Sequence, residues 1–138
     1  MQIIIKNQQK TIPVSKRTVK TTALKTLKLL KRNIGGDLTV VFVNNKIIQR
    51  LNSKFLAKAY PTDVLSFDLR EENRFLADIV ISAEKALENS RIYKTTPQHE
   101  MKLYLIHGIL HLFGYRDYRK KDRLRMERKA NQILRQIQ

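Results

Sequence analysis

The pattern of apolar and polar positions predicts a strand, a helix and a second strand in the first third of the chain. Residues 2–6 are rich in β-branched side chains and predict a short strand at one end of a sheet. Near-continuous branched apolar residues at 37–43 predict a strand inside the sheet. Between them, residues 16–32 predict a helix that begins near Ser15 and is ended by Gly35 and Gly36. Its apolar stripe consists of Val19, Ala23, Leu27, Leu30 and Ile34.

The middle of the chain predicts a helix followed by a hairpin. Asn44 is a suitable N-cap for a helix that runs to about Phe55, and a loop follows it at 58–62. Residues 63–69 alternate in polarity, which predicts a strand with Asp63, Leu65 and Phe67 on one face. The polar stretch 70–74 then connects to a partner strand over 75–81, so an antiparallel pair is expected.

Three helices are predicted after the hairpin. Ser82 can cap a helix over 83–93, and Thr96 with Pro97 marks the start of the next. A basic terminal helix is predicted over 120–137. The order of elements, with the helices expected on one side of the sheet, argues for an α+β fold.

Composition and charge narrow the class of protein. The 138 residues are expected to form one domain, and the chain contains no cysteine, which is compatible with a reducing cytoplasm. The apolar run Ile3-Ile4-Ile5 is too short for a signal peptide or a membrane span, so no membrane partner is expected. The net charge of +16 indicates a polyanionic partner, for which nucleic acid is the usual candidate. A lysine-rich solvated surface without such a partner is the alternative.

Two histidines four residues apart are the main candidates for chemistry. His107 and His111 lie in the most apolar run of the chain, 103–113, and on a helix both imidazoles would face the same way. Zinc usually takes at least three protein ligands in such sites. Gly114 can end the helix and turn the chain, which would bring Asp117 beneath the histidines. This predicts a zinc site formed by His107, His111 and Asp117, although histidines that are merely hydrogen-bonded would give the same spacing.

The spacing matches the extended metalloprotease pattern, but two positions differ. Gly108 stands where that pattern has its general-base glutamate, and Asp117 stands at its third histidine. A protease is therefore disfavoured. Two histidines and one carboxylate also form the facial iron(II) site of some oxygenases, but no other feature of the chain indicates that chemistry.

Three sequence blocks resemble the YbeY family of bacterial endoribonucleases. The block from His107 reads His-Gly-Ile-Leu-His-Leu-Phe-Gly-Tyr. The second consists of Leu51-Asn52 and the run Pro-Thr-Asp-Val-Leu-Ser-Phe at 61–67, and the third is Asp-Ile-Val-Ile at 78–81. Their order and the length of the chain are similar to those of the family. In the alignment of the first block, Asp117 stands where the family has its third histidine, and Met126-Glu127 support this alignment. Leu56 stands where the family has an arginine assigned to its nuclease site.

The resemblance implies a fold, a function and a set of partners. The fold would be a single YbeY-like metallohydrolase domain over 1–138, with a small mixed sheet of about four strands, about five helices and a central metal-binding helix. The function would be that of a zinc-dependent, single-strand-specific endoribonuclease in ribosomal RNA maturation, at the 3′ end of 16S rRNA, and in ribosome quality control. RNA and the ribosomal subunit would be the partners, in the cytoplasm. Candidate RNA-binding residues are Arg116, Arg119, Lys120 and Lys121.

Two alternatives remain open from the sequence. The substitution at Leu56 also fits a non-catalytic RNA-binding ribosome-assembly factor whose metal is structural or absent. Asp78, an acidic residue within an apolar strand, is either a bulge or edge charge or a residue near the metal cleft.

Overall fold

The computed structural model describes residues 1–31, 35–57 and 62–137. Arg32 and Ile34, predicted in the first helix, and most of the predicted loop at 58–62 lie outside these residues. The described part contains four strands and five helices, as predicted. The elements are β1 (Gln2–Asn7), α1 (Lys16–Leu29), β2 (Gly36–Val43), α2 (Asn45–Leu56), β3 (Val64–Asp68), β4 (Phe75–Ser82), α3 (Ala83–Tyr93), α4 (Pro97–Leu112) and α5 (Lys120–Ile137).

The strands form one mixed sheet in the order β1-β2-β4-β3. β2 pairs in parallel with β1 and β4, so it lies inside the sheet, as its continuous apolar sequence predicted. β3 pairs antiparallel with β4 as a hairpin, with Leu65 opposite Val80. The prediction of an α+β fold with a mixed sheet of four strands is therefore confirmed.

Helices cover both faces of the sheet, which corrects the expectation that all of them lie on one side. Successive side chains of a strand point to opposite faces. Ile79 and Ile81 of β4 belong to the core shared with α1, α3 and α4, whereas Val80 packs with Ile48 of α2. Val43, Leu65 and Val80 form an apolar patch on the second face, and Ile48 of α2 covers it and excludes water.

The predicted N-caps are confirmed at four helices. The side chains of Ser15, Asn44, Ser82 and Thr96 each accept a hydrogen bond from the backbone N–H three residues further on. Each bond satisfies one of the amide groups that has no partner within the helix.

The end of α1 differs from the prediction. The helix stops at Leu29, and Lys31 takes the left-handed conformation with φ of 56° that Gly35 or Gly36 was expected to supply. Gly36 instead begins β2 with φ of 144°, where a Cβ atom would collide with the Phe75 backbone. The glycine is thus required by the close approach of two strands.

α4 is the central helix, as predicted. It packs against the sheet on one side, and Ile106 and Leu110 on another side form a second core cluster with Met126 and Ile133 of α5. Within the described residues, no helix has the length and apolar character needed to cross a membrane.

Candidate metal centre

A tight turn at the end of α4 directs the chain back toward the helix. The N–H of Gly114 donates to the carbonyl of His111 at 3.2 Å, and the N–H of Tyr115 donates to that of Leu110 at 3.1 Å. This is the Schellman arrangement, in which a residue with positive φ follows the helix. Gly114 has φ of 94°, and Tyr115 and Leu110 share one apolar cluster. The turn predicted at Gly114 is confirmed.

The turn places two groups against the imidazole of His111. Its Nδ1 lies 3.1 Å from the carbonyl oxygen of Tyr115, and its Nε2 lies 3.6 Å from Oδ2 of Asp117. A carbonyl oxygen only accepts hydrogen bonds, so Nδ1 carries the proton in this contact. In the neutral ring, Nε2 therefore presents its lone pair toward Asp117. Metal-binding histidines are commonly oriented by such a bond from the other ring nitrogen.

His107 lies one turn earlier on α4, in a less polar environment. Burial lowers the pKa of its imidazole. The nearby carboxylate of Asp63 opposes that shift, His111 adds to it, and the more weakly acting charges of Glu127 and Asp117 oppose it. Neutral imidazole is the form that binds metal ions.

The donor chemistry fits zinc, but the ligand group is not assembled. Neutral imidazole nitrogens and a carboxylate are the donors zinc accepts, and His111 and Asp117 lie close together. Within residues 1–31, 35–57 and 62–137, however, no three histidine, aspartate or glutamate side chains are placed to hold one metal ion. The three-residue ligand set therefore stays a prediction.

Asp63 is a neighbour of His107 that reasoning from the sequence did not include in the site. Its carboxylate is the largest charge effect on the imidazole of His107. The backbone fixes its position, because Oδ1 accepts from the N–H of Val64 at 2.7 Å and its carbonyl accepts from the N–H of Ser82 at 2.9 Å. An acidic residue at the start of a strand in the second sequence block was the available signal.

Gly108 fixes the distance between α4 and the sheet. The hydroxyl of Ser66 in β3 donates to the Gly108 carbonyl at 2.9 Å. A Cβ atom at position 108 would lie 2.9 Å from Cγ2 of Ile79, closer than van der Waals contact. Where the metalloprotease pattern has a catalytic glutamate, this chain therefore needs a residue without a side chain.

The predicted RNA-binding residues lie on the surface beside this centre. Arg116, Arg119, Lys120 and Lys121 are all exposed, in the loop after α4 and the first turn of α5. Arg116 and Arg125 both line a pocket of about 400 Å³. The guanidinium of Arg125 lies 5.6 Å from the centre of the Tyr115 ring. The cluster is strongly basic, but its role in RNA binding stays a prediction.

The structure shows where Asp78 and Leu56 lie, the two residues whose roles the sequence left open. Asp78 lies in the interior strand β4, opposite Phe67 and Thr39 in continuous registers, so it is neither at an edge nor in a bulge. It lies on the sheet face of Val80, opposite to the face that α4 covers. Leu56 ends α2 and is 49% exposed.

Curated relatives share one description. A family model for Endoribonuclease YbeY matches residues 4–138. An Endoribonuclease YbeY from Syntrophomonas wolfei is 32% identical in an alignment 152 positions long, which covers 99% of this chain and 97% of the relative. One from Alkaliphilus metalliredigens is 30% identical in an alignment 145 positions long, which covers 97% of this chain and 93% of that relative.

A solved structure agrees with this assignment. The solution structure of a protein from Thermotoga maritima superposes with a TM-score of 0.66 at 28% identity, covering 99% of this chain and 89% of that one. The matched length, the sequence relatives and the shared architecture lead to one conclusion. This chain belongs to the Endoribonuclease YbeY family.

Proposed function

We propose that this chain is a single-strand-specific endoribonuclease that uses zinc, with residues 1–138 acting as one domain. Membership of a family named for endoribonuclease activity supports the reaction class. The net charge of +16 supports a polyanionic substrate. The single observation that carries the proposal is the turn after α4, which directs Asp117 to within 3.6 Å of the ring nitrogen that His111 leaves free.

His107, His111 and Asp117 are the residues we propose to hold the zinc ion. A bound zinc would supply Lewis-acid chemistry and a nucleophile near neutral pH. The protein's own contribution is orientation, since the Tyr115 carbonyl fixes the ring of His111 through Nδ1. Burial keeps His107 neutral and ready to bind.

Basic residues beside the centre would hold the RNA backbone. Arg116, Arg119, Lys120 and Lys121 are exposed in the loop after α4 and the first turn of α5, within four residues of Asp117 in the sequence. Positive potential around a site draws a phosphodiester toward it. Arg116 and Arg125 around one pocket are suited to phosphate, because a guanidinium can form two hydrogen bonds with it.

Ribosomal RNA is the substrate we propose, with maturation of the 16S 3′ end and ribosome quality control as the cellular roles. The corresponding partner is the ribosomal subunit, and the corresponding location is the cytoplasm. These finer assignments rest on the resemblance of the three sequence blocks to the family.

The test combines metal analysis with RNA cleavage. Untagged protein should contain about one zinc per chain by mass spectrometry, and His107→Ala and His111→Ala should each lose it. Both variants should lose cleavage of single-stranded RNA while keeping their circular dichroism spectrum. His99→Ala, near the start of the same helix, is the matched control and should keep both metal and activity. Cleavage that survives in both ligand variants would refute the proposal.

A non-catalytic RNA-binding assembly factor is the second candidate. Leu56 replaces the family's arginine, and three metal donors are not brought together among the described residues. Protein that binds RNA but contains no stoichiometric metal and never cleaves would favour this role. Zinc-dependent cleavage that His111→Ala abolishes without unfolding would exclude it.

A further inference from the structure

The outer face of α2 carries three cations in one row. Lys46, Arg50 and Lys54 are exposed and follow each other at four-residue spacing, so they lie on the same side of the helix. We call this row the α2 basic face. Successive members are about 6 Å apart along the helix axis, a spacing that suits neighbouring phosphates of an extended strand.

Within the part of the chain that the structure describes, no member of the α2 basic face forms an ion pair. α2 itself contains no acidic residue. Glu84 and Glu88 of α3 lie beside the start of the helix, where they accept hydrogen bonds from Asn45, the residue before Lys46. Like charges at four-residue spacing weaken a helix, so these cations do not help α2 to form. Their ammonium and guanidinium groups are therefore available to bind a ligand.

An exposed aromatic ring lies beside Lys54, the last cation of this row, on the side of α2 that faces β3. Phe55 is 56% exposed, and its ring meets that of Phe67 edge-on, with centroids 5.5 Å apart and planes at 69°. The ammonium group of Lys54 lies 5.3 Å from the centre of the Phe55 ring. An edge-on neighbour holds the ring in place, and a cation beside it attracts phosphate. Proteins that bind single strands without reading their sequence combine these two features.

Strand β3 connects this surface to the candidate metal centre. Phe67 faces α2, whereas the adjacent Ser66 faces α4 and bonds to Gly108, the residue after His107. Asp63, just before β3, is the carboxylate that most affects His107. β3 is an edge strand, so a chain that passes this edge can reach both surfaces.

We propose that the α2 basic face and Phe55 bind single-stranded RNA, with phosphates on the three cations and one unpaired base stacked on the Phe55 ring. This surface would guide the strand across the β3 edge toward the candidate metal centre. This guiding role rests on the proposed function, because it presupposes that RNA is cleaved at the candidate metal centre. Double-stranded RNA, whose bases are already stacked, could use the cations but not the ring.

The first experiment changes the ring alone. Binding of a fluorescent oligouridine of roughly 12 nucleotides is measured by anisotropy, with the integrity of the RNA checked on a gel. Phe55→Ala and Phe55→Leu should each weaken binding by about 5- to 100-fold, whereas Phe55→Trp should bind at least as tightly as wild type. Tyr93→Ala removes an aromatic residue that is 66% exposed on α3 and should bind as wild type does.

Stacking has a direct spectroscopic readout. An oligonucleotide that contains 2-aminopurine should lose fluorescence on binding to wild type and to Phe55→Trp, and should lose much less with Phe55→Leu. A protein partner that used Phe55 as an apolar contact would leave all these RNA signals unchanged. Unchanged affinity and quenching in Phe55→Ala would therefore overturn the inference.

The second experiment tests whether RNA binding depends on the position of the three cations or only on the net charge of the protein. The triple variant Lys46→Gln, Arg50→Gln, Lys54→Gln should lower the slope of log affinity against log salt concentration by about 2. The control, Lys16→Gln, Lys20→Gln, Lys28→Gln, removes three exposed charges from α1 on the other side of the sheet. It should change the slope far less. Equal effects of the two triples would show that only net charge matters and would overturn the inference.

The outcomes also separate this inference from the proposed function. Protein that binds in the expected pattern without cleaving RNA would support the inference and refute the proposed activity. Protein that cleaves RNA while the Phe55 variants bind as wild type does would support the activity and refute the inference. Wild-type protein with no affinity for RNA would refute both.

Discussion

Replacement of Gly108 by alanine should destabilise the protein, although alanine is the better helix former. Gly108 is buried in the last third of α4, where the helix packs against Ile79 and Ser66 of the sheet. Its new Cβ would lie 2.9 Å from Cγ2 and 3.1 Å from Cδ1 of Ile79, and 3.1 Å from Oγ of Ser66. Ile79 is fully buried, so its side chain cannot avoid the new methyl group by turning out into solvent.

Three contributions determine the change in the free energy of unfolding, two of them destabilising and one stabilising. Overpacking by one methyl group in a close-packed core costs about 1–3 kcal/mol. The gain in helix propensity offsets about 1 kcal/mol of that cost. The bond from Ser66 to the Gly108 carbonyl, worth about 0.5–1.5 kcal/mol, is weakened as α4 moves away. The free energy of unfolding should therefore fall by about 1–2 kcal/mol.

Urea unfolding measures this change, with the midpoint expected to fall and the slope to stay constant. Ile79→Val removes the Cδ1 atom, so the double variant should be less destabilised than the sum of the two single variants. Asn131→Ala on the exposed side of α5 is the control and should stabilise slightly, since propensity alone acts there. A Gly108→Ala protein that is about 1 kcal/mol more stable than wild type, as at an exposed site, would refute the packing argument.

Three further predictions concern the turn, the pH dependence and a buried cap. Gly114→Ala should lower the free energy of unfolding by about 1–2 kcal/mol, because φ is 94° there. It should also weaken zinc binding in calorimetry, and unchanged unfolding and binding would contradict the prediction. In metal-free protein the lowered pKa of His107 means that the unfolded chain takes up this proton at a higher pH than the folded chain does. Stability from this source is therefore full above about pH 6.5 and is lost as the pH falls toward the folded pKa, so His107→Gln should flatten the curve of unfolding free energy against pH. Ser82→Ala should cost about 1–2 kcal/mol, because the hydroxyl accepts from the N–H of Lys85 and donates to Oδ1 of Asn45; an unshifted melting temperature would argue against this.

Much of the local structure could be predicted from the sequence. The caps at Asn44, Ser82 and Thr96 depend on a side chain and an amide three residues away, so the sequence contains both partners. The turn at Gly114 is equally local, because its bonds close between residues 110 and 115. The spacing of His107 and His111 needed only helix geometry.

The failures of prediction arose where distant parts of the chain meet. The role of Gly36 depends on Phe75 of a neighbouring strand, so the glycine was wrongly assigned to a helix end. The placement of α2 on the second face depends on apolar residues of β2, β3 and β4 that come together only once the sheet has formed. Asp63 approaches His107 across more than forty positions of sequence, and no spacing rule covers such a distance.

The sequence by itself determined most of the elements, the positive charge and the turn that follows His111, because these features depend on neighbours within about one helical turn or on composition. It also contains the three blocks that carry the family resemblance. The tertiary structure decided which faces are covered, why position 108 has no side chain, how burial lowers the pKa of His107 and where Phe55 meets Phe67. These features depend on packing between elements that are far apart in the chain. Their physical causes are excluded volume and desolvation, which act only once those elements are in contact.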